Sequence, residues 1–248
     1  MKKIILITGG SGGIGASTAY TASRQGYIVC VNYNQNSDSA NKIVTNIKNA
    51  GGLAYAFQAD ISNEKEVENL FELIEQRVGK ITALVNNAGI IEPQKRLSEM
   101  SAERLHKVFS TNVIGVFLCC REAIKQMSVK HNGNGGSIVN ISSTASRIGA
   151  PFEYIDYAAT KGAIDTMTIG LAKEIAEDKI RVNAVRPGII HTEIHSKAGE
   201  PGRVERLKEL IPMKRGGQPE EVASTILWLI SDEASYVTGA IVDVSGGR

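Results

Sequence analysis

The sequence predicts an α/β fold, a single doubly wound unit in which a seven-stranded parallel sheet is flanked by helices on both faces. Three observations predict it. Segments of strand and helix character alternate along the 248 residues. The first strand, Lys3 to Ile7, is apolar from Ile4 onward, as a parallel strand covered on both faces should be. A glycine-rich stretch, LITGGSGGIGAS at residues 6–17, joins that strand to the first helix. Such a turn brings main-chain N–H groups and a helix N-terminus to a phosphate anion.

Composition bounds the possibilities. An α/β fold of this length often forms one unit, so residues 1–248 are read as one domain with a sizeable core. The net charge is +2 and the basic residues are scattered, whereas nucleic-acid binding needs them clustered on one face. Cys30, Cys119 and Cys120 are odd in number and lack metal-ligand spacing, which points to buried, reduced thiols and a cytoplasmic protein without a metal site. The apolar run after Met1-Lys2-Lys3 breaks at Gly9, and nothing approaches the ~20 apolar residues of a membrane span.

The first helix reads as Ala16 to Gln25, ending near Gly26 as its C-cap. Ile28 to Asn32 is strand two. An acid at its end would hold the adenosine ribose of NAD and repel the extra phosphate of NADP. Here stand Asn32, Tyr33 and Asn34, with no acid before Asp38, which argues against strict NAD use. Ser39 to Asn49 is the second helix, stopped by Gly51-Gly52, and Ala54 to Gln58 is strand three. Asp60 or Ser62 is placed to cap the helix that begins at Glu64. Ala83 to Val85 is strand four. Ala102 to Lys130 reads as one long helix, with Asn112 out of character on its apolar face. Ser137 to Ile141 is strand five and delivers Ser142 and Ser143 at its C-terminal end, where doubly wound sheets bind ligands. Arg181 to Ala184 is strand six, Glu220 to Ile230 the last helix, and Ala240 to Val244 strand seven. Between them, residues 193–213 carry mixed charge and two prolines and read as a mobile lid over a substrate pocket.

Tyr157 precedes Lys161 by four residues, which on a helix puts their Cβ atoms roughly 5–6 Å apart on one face. A free tyrosine titrates near 10, and a fixed positive charge favours its phenolate. A solvated helix pair is the plainer reading of these two residues alone. Tyr154 lies seven residues before Lys161, about 10 Å along a helix axis, and reads as a pocket aromatic instead. The glycines fit two registers, Gly10/Gly12/Gly15 and Thr8-Gly9 with Gly13 and Gly15, and counting them does not choose.

Taken together, Thr8-Gly9-x-x-x-Gly13-x-Gly15, Asn86-Asn87-Ala88-Gly89, Ser143 with Tyr157 and Lys161, and Pro187-Gly188 resemble the short-chain dehydrogenase/reductase family across nearly the whole chain. The resemblance selects the second glycine register and implies a Rossmann-type oxidoreductase that moves hydride between nicotinamide and a carbonyl or secondary alcohol. It implies catalytic roles for Asn112, Ser143, Tyr157 and Lys161, with Ser142 the second choice of serine. It also implies cofactor contacts at Gly9, Ser11, Gly12, Gly13, Ile14, Gly15, Asn34, Asp60, Ile61, Asn87, Ala88, Gly89, Tyr157, Lys161, Pro187, Gly188, Ile190 and Thr192. Asn86 is assigned to structure. Asn112 reads either as a satisfied core amide or, by resemblance, as a backbone holding a proton path to Lys161. NADP is favoured over NAD, and a homotetramer is expected. Ser143 to Tyr157 is one residue longer than is common in the family, and the extra residue falls in the loop before Tyr157.

Within the family, Val31-Asn32-Tyr33 and the tyrosine–lysine helix resemble both glucose 1-dehydrogenases and 3-oxoacyl-acyl-carrier-protein reductases. A carrier-protein substrate would call for a basic patch, for which Arg203, Arg206 and Lys208 stand out against Glu200, Glu205 and Glu209. His191 and His195 read as ordinary exposed histidines or as substrate contacts. A dinucleotide-binding sensor without catalysis is the alternative class. The intact Ser143, Tyr157 and Lys161 weigh against it.

Overall fold

The computed structural model describes residues 2–248, apart from the side chain of Lys197. Seven parallel strands lie in the order β3-β2-β1-β4-β5-β6-β7. They are β1 (Ile4–Ile7), β2 (Ile28–Tyr33), β3 (Ala54–Gln58), β4 (Ala83–Asn86), β5 (Gly136–Ile141), β6 (Ile180–Pro187) and β7 (Ile241–Val244). Successive side chains of a strand point to opposite faces. In β1, Ile4 and Leu6 accordingly pack into one core cluster and Ile5 and Ile7 into the other, all essentially without solvent contact. Each such buried side chain contributes roughly 1.5–3 kcal/mol. An unbroken apolar strand is therefore the sequence of a sheet with two cores.

Helices α3 (Glu64–Arg77), α5 (Gly115–Met127) and α7 (Ile155–Glu174) cover the Ile4/Leu6 face, through residues such as Phe71, Cys119 and Ile164. Helices α1 (Gly13–Arg24), α2 (Ser37–Asn49) and α10 (Pro219–Ile230) cover the other, through Ala22, Ile47 and Ile226. The three cysteines are buried and free. Burial pushes the Cys30 and Cys120 thiols up to about 12, and Cys119 higher still, so they act as small apolar groups. No helix among the described residues is long and apolar enough to cross a membrane.

Three expectations change. Helix α3 is capped neither by Asp60 nor by Ser62. Asn63 accepts from the N–H groups of Lys65 and Glu66, while the Asp60 carboxylate is taken by Ser62. The long helix ends at Met127 and is not uniform. It runs as α4 (Ala102–Phe109), a π-helical turn at Ser110–Ile114, and α5. Phe109 and Phe117 on this run are solvent-exposed, and Leu171 of α7 packs against the core. Strand β6 is longer than the alternation indicated because it pairs along one side with β5 and, at its C-terminal half, with β7.

A polar ladder crosses the otherwise apolar interior. Asn86 donates to Asn140 on the adjacent strand at 2.9 Å, Asn140 donates to Thr168 of α7 at 3.0 Å, and Thr168 donates to the Ile164 carbonyl at 2.8 Å. Asn140 has no solvent exposure. Asn140→Ala removes the acceptor of the Asn86 amide and the donor to Thr168 Oγ1, and should lower the unfolding free energy by roughly 1–3 kcal/mol. Urea denaturation should show a lower midpoint at an unchanged slope, and an unshifted midpoint would remove the ladder from the stability of the sheet.

Candidate active site

The order in which successive strands join the sheet reverses between β1 and β4, and at such a reversal the C-terminal strand ends leave a crevice. A cleft of about 880 Å³ opens there. It is lined by Gly9 and Ser11 to Ile14, Asn34, Asp60, Ile61, Asn87 to Gly89, Ser143, Tyr157, Lys161, Pro187, Gly188, Ile190 and Thr192. Gly15 and Asn112 stand behind this lining.

Backbone conformation separates the two glycine registers. Gly9 and Gly13 have φ of 58° and 51°, in the left-handed region, and Gly10 and Gly12 do not. A Cβ on Gly15 would lie 2.5 Å from Asn87 Nδ2 and 2.7 Å from the Gly9 carbonyl. The positions that require glycine are therefore 9, 13 and 15. Helix α1 starts at Gly13 with no capping side chain and no acid in its first turn, leaving its orphan N–H groups to an external acceptor. An added Cβ on Gly12 would meet nothing within 4 Å. A pyrophosphate fits this end of the cleft, since the donors, the dipole and the open space coincide.

Tyr157 lies in the first turn of α7, with Lys161 one turn on. Lys161 is buried, its Nζ donates to the Ile141 carbonyl at 2.7 Å, and it stands 5.4 Å from the centre of the Tyr157 ring. Burial lowers the Lys161 ammonium to about 8, against an opposing pull from Asp165. Burial raises the Tyr157 phenol to about 12, and the Ser143 hydroxyl offsets part of this. The expectation that Lys161 brings the phenol toward neutral is therefore not met in this geometry. The ammonium flanks the ring and is spent on a carbonyl, so desolvation of the phenol wins. The two serines part company here. Ser142 is buried and donates to the Lys161 carbonyl at 3.2 Å, while the half-buried Ser143 faces the cleft beside Tyr157. The longer Ser143–Tyr157 interval is taken up by the short helix α6 (Ala145–Ile148) and a loop after it in which Gly149, Ala150 and Phe152 all have positive φ.

Asn112 sits in the π turn without solvent exposure. Its side chain exchanges hydrogen bonds with the Ile90 main chain at 2.8 and 2.9 Å and donates to Thr160 at 3.3 Å. The side chain is thus a satisfied core amide. A Cβ on Gly89 would lie 3.4 Å from Asn112 Oδ1 and 3.6 Å from Lys161 Nζ, so the two converge on that glycine. Asn87 is less free than a cofactor ligand. Both protons of its amide go to the Thr8 and Gly9 carbonyls at 3.0 Å, while Asn86 joins the polar ladder. Thr192 packs over Gly13, whose added Cβ would come within 3.2 Å of the threonine methyl.

Lining residues such as Lys107 and Arg248 were not visible as site residues in the sequence, whereas others are singled out there. Residues 193–213 form α8 (Ile194–Lys197), α9 (Arg203–Leu207) and a short 3-10 turn. Arg203 and Arg206 both pair with Glu153 and Glu200, and Lys208 pairs with Glu205, so the basic patch is neutralised. Tyr154 is buried beneath the Arg203 guanidinium and lines the cleft, in keeping with a pocket aromatic. His191 is exposed. His195 is half-buried in the cleft lining with Nε2 at 3.0 Å from the Ile190 carbonyl, which departs from an ordinary exposed histidine. Arg248 also lines the cleft, and only the Gly246-Gly247 pair before it hinted at a turn.

Comparison with known proteins agrees with this geometry. A family model described as enoyl-(acyl carrier protein) reductase, of the short-chain dehydrogenase/reductase group, matches residues 9–248. The uncharacterized oxidoreductase YgfF of Escherichia coli is 56% identical over 245 residues, covering 99% of each chain. Glucose 1-dehydrogenase 2 of Bacillus subtilis is 39% identical over 99% of this chain and 94% of its own. The 3-oxoacyl-[acyl-carrier-protein] reductase FabG of Staphylococcus epidermidis is 35% identical over 100% of this chain and 99% of its own.

The lowered Lys161 value has a consequence for stability. An unfolded lysine holds its proton to about 10.4, and the folded one releases it near 8. Between these values the unfolded state binds the additional proton, so this residue stabilises the fold as pH rises and that contribution is lost as pH falls through 8. Wild type should gain about 2 kcal/mol on Lys161→Met between pH 8 and pH 10. Urea denaturation of both proteins across that range checks it, and parallel pH curves would contradict it.

Proposed function

The chain belongs to the short-chain dehydrogenase/reductase family and is an NAD(P)-dependent oxidoreductase acting between a carbonyl and a secondary alcohol, and on that premise we propose that Tyr157 is its acid/base. The observation that carries this reading is the convergence of Ser143, Tyr157 and buried Lys161 on one wall of the cleft. When bound, the nicotinamide supplies or accepts the hydride at the substrate carbon. Tyr157 gives its proton to the substrate oxygen in reduction and takes it back in oxidation. A phenol held up near 12 is protonated at neutral pH, which suits donation. Ser143 donates to the same oxygen and stabilises the charge that develops there. Lys161 binds the nicotinamide ribose hydroxyls and keeps a positive charge near the phenol at neutral pH. Asn112 supports a proton path through the π turn, a distortion that favours functional sites.

The remaining contacts run along the cleft. Ser11, Gly12, Gly13 and Ile14 hold the pyrophosphate at the start of α1, within the turn shaped by Gly9 and Gly15. Asp60 and Ile61 flank the adenine, and Asn87, Ala88 and Gly89 form the floor. Pro187 and Gly188 lead to the Ile190 backbone and the Thr192 hydroxyl, which take the carboxamide. NADP is preferred over NAD, with use of both allowed. The adenosine end is lined by Asn34, Gln35 and Asn36, which carry no negative charge to repel a ribose phosphate, and Asn32 is buried with its side chain committed to Gly9 N and the Ala59 carbonyl.

The substrate is a free small molecule, because the pairing of Arg203, Arg206 and Lys208 leaves little basic surface for an acidic carrier protein. Residues 193–213 act as the lid of the one domain. The protein assembles as a homotetramer through the exposed Phe109, Ile114 and Phe117 with Ile169 of α7, and through Trp228 of α10.

Tyr157→Phe should lower turnover by about a hundredfold to ten-thousandfold, with NADPH affinity by fluorescence titration close to that of wild type. Comparable turnover in the two proteins would take Tyr157 out of the role. The same assay on a panel of ketones, sugars and acyl thioesters, run with NADPH and then NADH, should give the higher kcat/KM with NADPH.

A further inference from the structure

Beyond the Ser143–Tyr157–Lys161 group, one corner of the cleft holds a guanidinium donor that no hydrogen-bond acceptor among the described residues meets. Glu153 and Glu200 together hold Arg203 and Arg206, so two carboxylates balance two guanidiniums. A third guanidinium, Arg248, lines the same cleft with Arg203, Arg206 and Glu153 as its charged neighbours. Its Nη1 is buried and has no hydrogen-bond partner among the described residues.

The chain is folded to put it there. Gly246 and Gly247 both adopt left-handed backbone, with φ of 64° and 93°. An added Cβ on Gly246 would come within 2.9 Å of Ile211, and one on Gly247 within 3.0 Å of Pro212. Met213 N donates to the Gly246 carbonyl at 3.1 Å, and Ser245 Oγ donates to the Arg248 carbonyl at 3.1 Å. The tail is thereby turned back against the segment that follows α9. Arg203 lies over Tyr154, the residue that precedes α7, so this corner is within about one helical turn of Tyr157 along the chain. A buried guanidinium donor without an acceptor is costly, and its planar fork matches a carboxylate or a phosphate.

We propose that Arg248 recognises an anionic group, a carboxylate or a phosphate, carried by the substrate alongside its reacting carbonyl or alcohol. This rests on the cleft being the redox site for a small molecule, and it narrows the substrate to a charged one. The test is calorimetric binding in the presence of NADP or NAD, so that no turnover intervenes. The probes are a homologous series of short oxo acids with their methyl esters, and dihydroxyacetone phosphate with dihydroxyacetone. In wild type the anionic member of at least one pair should bind about tenfold or more tightly, the effect of one charge-assisted hydrogen bond. Which pair shows it identifies the anion. Arg248→Gln should abolish the preference and Arg248→Lys should keep part of it. Equal binding within every pair in wild type, or an unchanged preference in Arg248→Gln, overturns the proposal. Anion-selective binding by a probe that a separate assay with NADPH and NADH shows is not reduced would count against the oxidoreductase reading of the cleft and leave the recognition standing. Turnover of neutral ketones without anion preference would do the reverse.

Discussion

The cleft depends on a seam between two strand ends. Where the strand order reverses at β1 and β4, the chain leaves each strand in a different direction, and only specific bonds keep the ends in register. The main-chain N–H groups of Asn87 and Ala88 donate to Thr8 Oγ1, and the Asn87 amide returns two bonds to the Thr8 and Gly9 carbonyls. This closed set fixes the glycine turn relative to the β4 exit. Gly15 must lack a side chain because the same amide lies where its Cβ would go. One asparagine therefore sets the height of the helix α1 N-terminus over the cleft floor, and a role for Asn87 as scaffold follows from its bonds more directly than a role as ligand.

The electrostatics of the catalytic wall show why spacing alone does not fix chemistry. A lysine four residues after a tyrosine is on the right face, but the ammonium is drawn to the Ile141 carbonyl. In a partly buried wall the cost of charging the phenol then exceeds the benefit of a cation beside its ring. The arrangement is a protonated phenol beside a cation that titrates near 8. Ser143 is the group that works directly against the rise of the phenol.

Legibility in the sequence came from features that were periodic or obligatory. Strands such as Ile4–Ile7 could be read because both their faces are buried, leaving no position for a polar residue. The glycine turn could be located, but its register became a physical statement only with the φ values of Gly9 and Gly13. The cap of α3 was misplaced because Asp60, Ser62 and Asn63 are all competent and the choice depends on where the chain turns. The π turn at Ser110–Ile114 was hidden because one extra residue in a helix barely disturbs an apolar spacing. Arg248 was invisible for a different reason. Its position depends on two successive left-handed glycines and on contacts to Ile211 and Pro212, far from it in sequence.

The four-membered ion cluster of Glu153, Glu200, Arg203 and Arg206 ties the loop before Tyr157 to α9. Its members are unequally sheltered, with the Arg203 side chain 9% exposed and that of Arg206 50% exposed. Dissolved ions screen exposed pairs far more than sheltered ones. The wall over the reacting centre is thus fastened by one strong clasp and one that loosens with ionic strength, so the surrounding electrolyte acts as a dial on how firmly that wall is held.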